Sequence, residues 1–187
     1  MTGLLLAGGR STRMGTDKAL LELEGEPLAV RALQALRSIC PEVLVASGDG
    51  RRLGALGAPQ VADALPDAGP LGGIVAGLEA ASTALVAVVA VDMPFASAAV
   101  LELLASMWSG QDTIVPVTSH GVQPLHAVYA TAAGPKLRRA LASGSRSVRA
   151  ALEQLDVRFV GEPEWRTADP TGRFAVNVNR PEDLPAG

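Results

Sequence analysis

Cysteine, histidine and aromatic residues are scarce in this 187-residue chain: one Cys, two His, three Phe, two Trp and one Tyr. A single cysteine, Cys40, excludes an intrachain disulfide framework and a cysteine metal cluster. It stands beside Pro41 at a predicted helix-to-strand junction, where a buried, inert thiol is expected. With aromatics at 3% against 48% hydrophobic residues, the core must be built from Ala, Leu and Val. Such aliphatic runs suit a parallel sheet covered by helices on both faces. A net charge of -3 offers no basic field for nucleic acid, so a polyanionic ligand must be held by a local arrangement of donors. The length suits one domain, residues 1–187, and no repeat, linker or low-complexity stretch divides it.

Targeting signals are also missing. The chain opens directly on an apolar strand pattern, with no basic n-region or small-residue cleavage site before it, so a secretory leader is not expected. The most apolar stretch, Ala84 to Trp108, carries Asp92 and Pro94 near its middle and Glu102 beyond, which a membrane span tolerates poorly. It reads instead as a buried strand, a turn and an amphipathic helix in a soluble, cytoplasmic protein.

What is present alternates between strand and helix, the signature of an α/β fold with a mainly parallel sheet. Strands are predicted at Gly3–Ala7, Glu42–Ala46, Ala84–Val91, Asp112–Val117, Gln123–Tyr129 and Val157–Val160, with shorter extended pieces at Ala19–Leu23, Pro59–Asp63 and Phe174–Val178. Leu28, Ala32, Leu33, Leu36 and Ile39 recur at helical spacing after Pro27, and Ser97 is placed to cap a helix carrying Val100, Leu101 and Leu104. Ser47-Gly48-Asp49-Gly50 reads as a turn, and Pro66 to Gly73 as a loop feeding a helix to about Ala81. Further helices are expected near Lys136–Ala142, Ser147–Leu155 and from Pro181.

The most informative segment runs from Leu4 to Leu21. An apolar strand enters the adjacent glycines Gly8 and Gly9, where backbone can approach a ligand and successive N–H groups can form an anion site. Arg10, Arg13 and Lys18 add mobile positive charge within a few residues. Backbone donors, a guanidinium and an ammonium are together the parts that hold a triphosphate. There is no G-x-x-x-x-G-K-[ST] and no G-x-G-x-x-G opening a long helix, so neither a Walker A loop nor a dinucleotide fingerprint is present.

Asp92 ends the most apolar strand, and open α/β sheets place their ligand crevice at the carboxyl ends of the strands. One carboxylate with phosphate oxygens and waters is a usual Mg²⁺ environment. Asp63 precedes the glycine-rich Pro66–Gly73 segment; a carboxylate can accept from guanine N1–H and N2–H₂ together, and backbone near Gly72 could meet the base edge. Asn177 and Asn179 lie two apart, so in an extended strand both amides face one side, toward a cleft or as caps of the following helix. His120 and His126 are expected to pack or to bond backbone rather than to catalyse. Lys136, Arg138, Arg139, Arg146 and Arg149 read as a solvated helical face.

Leu6-Ala-Gly-Gly-x-Ser-x-Arg-Met-Gly-x-Asp-Lys18 closely resembles the N-terminal signature of the molybdenum cofactor guanylyltransferases, a MobA-like nucleotidyltransferase family. The resemblance extends through Asp92-Met-Pro, Gly69-Pro-Leu-Gly-Gly-Ile and Asn177-Val-Asn-Arg-Pro-Glu-Asp-Leu184. It implies a Rossmann-like, nucleotide-diphospho-sugar transferase-like sheet, and GMP transfer from GTP to the phosphate of molybdopterin or its molybdenum-loaded form. By the same resemblance Leu6, Ala7, Gly8 and Gly9 lie along the nucleotide, Lys18 on its phosphates and Arg13 on the outer ones. Asp92 is then the Mg²⁺ ligand, Asp63 and Gly72 belong to the base side, and Asn177, Asn179 and Gln123 belong to the acceptor side. Other cofactor-biosynthesis proteins and molybdoenzyme chaperones are the implied partners. Rival readings are a relative using CTP or another phosphorylated acceptor, and a nucleotide-binding protein without turnover.

Overall fold

The computed structural model describes residues 1–8, 18–66 and 68–178. Its centre is β1 (Thr2–Leu6), in which every residue is buried. It pairs in parallel with β4 (Glu42–Gly48) on one side and β6 (Leu85–Ala90) on the other, Leu4 standing between Leu44 and Val88. Outward from β4 lies β5 (Gln60–Ala62). Outward from β6 come β9 (His126–Ala130), β7 (Thr113–Thr118) and β10 (Val157–Val160), giving the order β10-β7-β9-β6-β1-β4-β5. Only β9 in that row runs against the others. The short β8 (Gly121–Val122) folds back on β7, and β2 (Glu22–Leu23) and β3 (Glu26–Pro27) form a separate small hairpin.

Alternate residues of the buried strands feed two apolar layers, because successive side chains leave a strand on opposite faces. Leu5, Val45 and Val89 pack with α1 (Leu28–Arg37) and α3 (Ala98–Ser106), and with Phe174 and Trp165 of α6 (Glu162–Trp165). Leu4, Leu44 and Val88 pack on the other face with α2 (Gly69–Ala80), α4 (Gly134–Ala142) and α5 (Val148–Leu152). Each fully buried Leu contributes about 1.5–3 kcal/mol, so aliphatic side chains carry most of both layers, with Phe174 and Trp165 added in one and Tyr129 in the other. At Gly77 a Cβ would land inside the Leu4 side chain, 2.6 and 2.9 Å from Cδ1 and Cγ, so glycine is what lets α2 lie flat on β1.

The helix starts follow local chemistry. Pro27 precedes the first residue of α1, and Ser97 Oγ accepts the Val100 N–H at 3.3 Å to cap α3. The apolar stretch from Ala84 resolves into β6, a turn and α3, and no helix among the described residues is long and apolar enough to cross a membrane. Cys40 is buried between α1 and β4, and burial pushes its thiol up to about 11, the inert state expected of it.

Five local expectations need correction. Ser47-Gly48 is not a turn: β4 continues through Gly48, because β5 supplies a pairing partner across a register shift at Ala46–Gly48. Gly69–Gly73 is not loop but the first turn of α2, whose buried glycines are retained for close packing. Ala19–Leu23 begins as a 3₁₀ turn (Lys18–Leu20) before β2. Gln123–Leu125 is the connection between β8 and β9 rather than strand. Phe174–Val178 is not extended throughout: Arg173–Ala175 is a 3₁₀ turn, and the segment pairs with no strand among the described residues. The helix expected from Pro181 lies outside the described residues.

Candidate active site at the carboxyl edge of the sheet

Because β1, β4, β5 and β6 are parallel, their carboxyl ends meet on one edge, where an open α/β sheet binds its ligand. There an open cavity of about 200 Å³ is lined by Leu6 at the end of β1, Ala7 and Gly8 beyond it, Asp63 beyond β5, and Asp92 beyond β6. Lys18 closes it from the 3₁₀ turn, and Gly69, Pro70 and Gly73 close it from the first turn of α2. The ends are tied together by backbone: Ala7 N–H donates to the Ala46 carbonyl and Val91 N–H to the Leu6 carbonyl, both at 2.9 Å.

Asp63 is the most unusual group in this cavity. Its Oδ1 is buried without a hydrogen-bond partner among the described residues, and burial holds its carboxyl above the usual carboxylate range. A Cβ on Gly8 or on Gly73 would stand 3.5 Å from its oxygens, so two glycines leave the carboxylate approachable. A buried acceptor kept unsatisfied costs stability, about 1–3 kcal/mol, and is a place for a donor to arrive.

Asp92 sits opposite. Its Oδ2 lies 3.5 Å from Lys18 Nζ, both side chains about a quarter exposed, while Oδ1 is buried with no partner among the described residues. Its main chain is held by Val178, whose N–H donates to the Asp92 carbonyl at 2.8 Å. No group of three or more His, Cys, Asp or Glu able to hold a metal occurs among the described residues. An unpartnered carboxylate oxygen on a residue that lines a cavity fits a cation that takes its other ligands from phosphate and water.

A second cavity, about 300 Å³, adjoins the first and shares Pro70 and Leu125 with it. Gln123 and Asn177 both line it, so these two predicted acceptor-side residues are brought together. Gln123 Nε2 donates to Thr118 Oγ1 and to the Gly121 carbonyl, both at 3.1 Å, which fixes the β8–β9 connection. Arg146 and Arg149 are exposed, as expected of a solvated face, and also line the same cavity, Arg149 Nη2 donating to the Val122 carbonyl at 3.2 Å. The other basic residues of that stretch behave differently: Lys136 pairs with Asp112 at 2.6 Å and Arg138 with Glu79.

Gly72 is set aside from the first cavity, facing Ala68 and the Asp63 Cβ, with Gly73 on the lining instead. Gly9, Arg13 and Asn179 lie outside the described residues. His126 lines neither cavity: it is fully buried, its Nε2 accepts the Ser97 N–H at 3.0 Å, and burial lowers it to about 4, so it is neutral. His120 is an exposed residue of the β7–β8 turn. Sequence reading passed over Pro70, Gly73 and Leu125, although the first two stand in the Gly-Pro-Leu-Gly-Gly run that it singled out.

Residues 3–159 match the family described as the MobA-like NTP transferase domain. The chain belongs to this family. A probable molybdenum cofactor guanylyltransferase of Chloroflexus aggregans is 40% identical, over 98% of this chain and 91% of its own. The molybdenum cofactor guanylyltransferase of Burkholderia ambifaria is 42% identical, over 96% of each chain. Among solved structures, the molybdopterin-guanine dinucleotide biosynthesis protein A of Archaeoglobus fulgidus superposes with a TM-score of 0.85 at 29% identity, covering 98% of this chain and 95% of that one. The fold reaches further still: 2-C-methyl-D-erythritol 4-phosphate cytidylyltransferase of Thermus thermophilus shares it at 24% identity, with a TM-score of 0.66 over 97% and 94% of the two chains. The mainly parallel sheet with helices on both faces is thus the fold of MobA-like and related nucleotidyltransferases.

Proposed function

We propose that this protein is a molybdenum cofactor guanylyltransferase, moving GMP from GTP onto the phosphate of molybdopterin, with or without its metal, to give molybdopterin guanine dinucleotide and pyrophosphate. The observation that carries the reading is one cavity with two carboxylates of different character on opposite sides. Asp63, half-buried between glycines with its Oδ1 unpartnered among the described residues, suits a base edge that presents two donors, as guanine does. Asp92, beside Lys18, suits the phosphates. Near-full-length likeness to relatives of that name supports the same assignment.

In this reading Leu6, Ala7 and Gly8 run along the nucleotide, and Lys18 leaves Asp92 partly for the phosphates. Asp92 holds Mg²⁺, which when bound supplies charge neutralisation at the phosphate oxygens. The second cavity takes the acceptor, with Gln123 and Asn177 as hydrogen-bonding groups and Arg146 and Arg149 as cations for an anionic substrate. The acceptor phosphate oxygen attacks the α-phosphorus; the new P–O bond forms as the bond to the β-phosphate oxygen breaks and pyrophosphate departs. A phosphate monoester is largely ionised at neutral pH, so the protein has to position and to neutralise rather than to remove a proton. Arg13 on the outer phosphates, Gly9 on the nucleotide and Asn179 on the acceptor complete the proposal, as do a cytoplasmic location and partner proteins that deliver and receive the cofactor.

Pyrophosphate release from GTP, CTP and ATP, with Mg²⁺ and molybdopterin, tests the reading. GTP-selective release that is lost in Asp92→Asn supports it. CTP-selective release keeps the fold and the reaction but overturns the role of Asp63. Release that survives Asp92→Asn overturns the role of Asp92.

A further inference from the structure

Arg52 belongs to none of the motifs above, yet its half-buried guanidinium donates a hydrogen bond to the main-chain carbonyl of Ala7, at the end of β1. The turn between β4 and β5 is built to hold it there. Asp49 Oδ1 accepts the N–H groups of both Arg51 and Arg52 at 3.0 Å, and these bonds keep the Asp49 carboxyl below its usual range. Gln60 reaches back from β5, its Oε1 accepting from Leu53 N–H at 3.1 Å and its Nε2 donating to the Arg51 carbonyl at 3.3 Å. Two side chains therefore brace residues 49–53 through their backbone and turn Arg52 inward.

What that bond does follows from the alternation of the main chain. The Leu6 carbonyl takes the Val91 N–H on the β6 side, and the Ala7 N–H gives to the Ala46 carbonyl on the β4 side. The Ala7 carbonyl shares a peptide plane with the Gly8 N–H, and in a trans peptide the two point in opposite directions. Fixing the carbonyl from the β4–β5 side aims the Gly8 N–H toward the β6 side, where Asp92 stands. A guanidinium on the carbonyl also polarises the amide, which makes that N–H a better donor to an anion.

We propose that Arg52 is a positioning residue for the nucleotide: by holding the Ala7 carbonyl it presents the Gly8 N–H to a phosphate oxygen. This rests on the nucleotide reading of the cavity. Asp49 acts one step further back, through Arg52.

The test compares Arg52→Met, Arg52→Lys, Asp49→Ala and the Asp49→Ala/Arg52→Met double variant with the parent chain. It measures GTP binding by calorimetry, KM for GTP and for molybdopterin, kcat and Tm. Loss of one charge-assisted hydrogen bond is expected to weaken GTP binding about ten-fold in Arg52→Met. The KM for the acceptor and kcat stay within about two-fold, Arg52→Lys recovers most of the loss, and the double variant is no worse than Arg52→Met alone. GTP binding within about two-fold of the parent in Arg52→Met overturns the inference. So does a loss shared equally by both substrates and by Arg52→Lys together with a fall in Tm, since that marks a purely structural residue. A parent chain that binds no GTP contradicts the functional reading itself, whereas a GTP-binding parent matched by Arg52→Met contradicts this inference alone.

Discussion

Replacing Asp63 with Asn changes charge while keeping shape, and it separates the two demands on that position. In the free protein the carboxylate is half-buried with its Oδ1 unpartnered among the described residues, so its charge opposes folding at neutral pH. An amide of the same size keeps a polar group there but removes the charge, so the gain is the relieved desolvation of a half-buried charge, on the order of 1 kcal/mol. For a chain of this length that raises Tm by about 2–4 °C. Burial raises the carboxyl above its ordinary value of 3.8, so the stability it lends when protonated is present below that value and lost as pH rises through the folded one. The stability difference between Asp63→Asn and the parent is therefore widest at neutral pH and closes on acidification into the carboxylate range. Toward nucleotide the sign reverses. Guanine offers two N–H donors, and the new amide NH₂ meets one of them, so about 1.5–3 kcal/mol of charge-assisted bonding is lost. Since each 1.4 kcal/mol is ten-fold, KM for GTP rises about 10- to 100-fold. Adenine, with a donor and an acceptor on the same edge, is penalised less, and the preference for GTP over ATP narrows. Urea midpoints at two pH values and KM for both nucleotides measure all of this. A variant less stable than the parent at neutral pH, with GTP preference intact, refutes the reasoning.

Gly73→Ala places a methyl 3.1 Å from both Ala46 Cβ and Leu6 Cδ2 on the cavity floor. Better helix propensity, about 1 kcal/mol, offsets the crowding, so Tm moves little while KM for GTP rises several-fold. His126→Leu tests the buried imidazole: the parent loses stability as pH falls from 6.5 toward about 4, because the unfolded chain takes up a proton that the folded one refuses. Chemical denaturation against pH should show that slope, about 1.4 kcal/mol per unit, flattened in the variant. Asn177→Ala should raise KM for molybdopterin several-fold and leave KM for GTP unchanged in steady-state assays, since the residue lines the second cavity alone.

Much of this was legible in sequence where local pattern and tertiary demand agree. The run ending at Asp92 reads as a buried strand because both of its faces are covered, and Ser97 reads as a cap because it is one. The glycines misled. Gly69 to Gly73 look like loop by propensity, but α2 needs small residues to lie on β1, and packing overrides propensity. Gly48 looks like a turn, but β5 extends the pairing past it. Phe174 to Val178 has strand composition but pairs with no strand among the described residues. At the site, Asp63, Asp92, Lys18, Gln123 and Asn177 were singled out because their residue types and motif positions carry information, and all five line the two cavities. Arg52 was not singled out, and Arg146 and Arg149 were read as a solvated face only, because an arginine in a turn or on a short helix has the same local pattern whether or not it also lines a cavity.

The central claim is tested most directly by the product itself. The chain is incubated with Mg²⁺, molybdopterin and equal concentrations of GTP and CTP, and the pterin is then weighed by mass spectrometry. Guanine dinucleotide as the main adduct, with one pyrophosphate per product, is the predicted result. Cytosine dinucleotide as the main adduct, or an unmodified pterin from protein that binds GTP, contradicts the account.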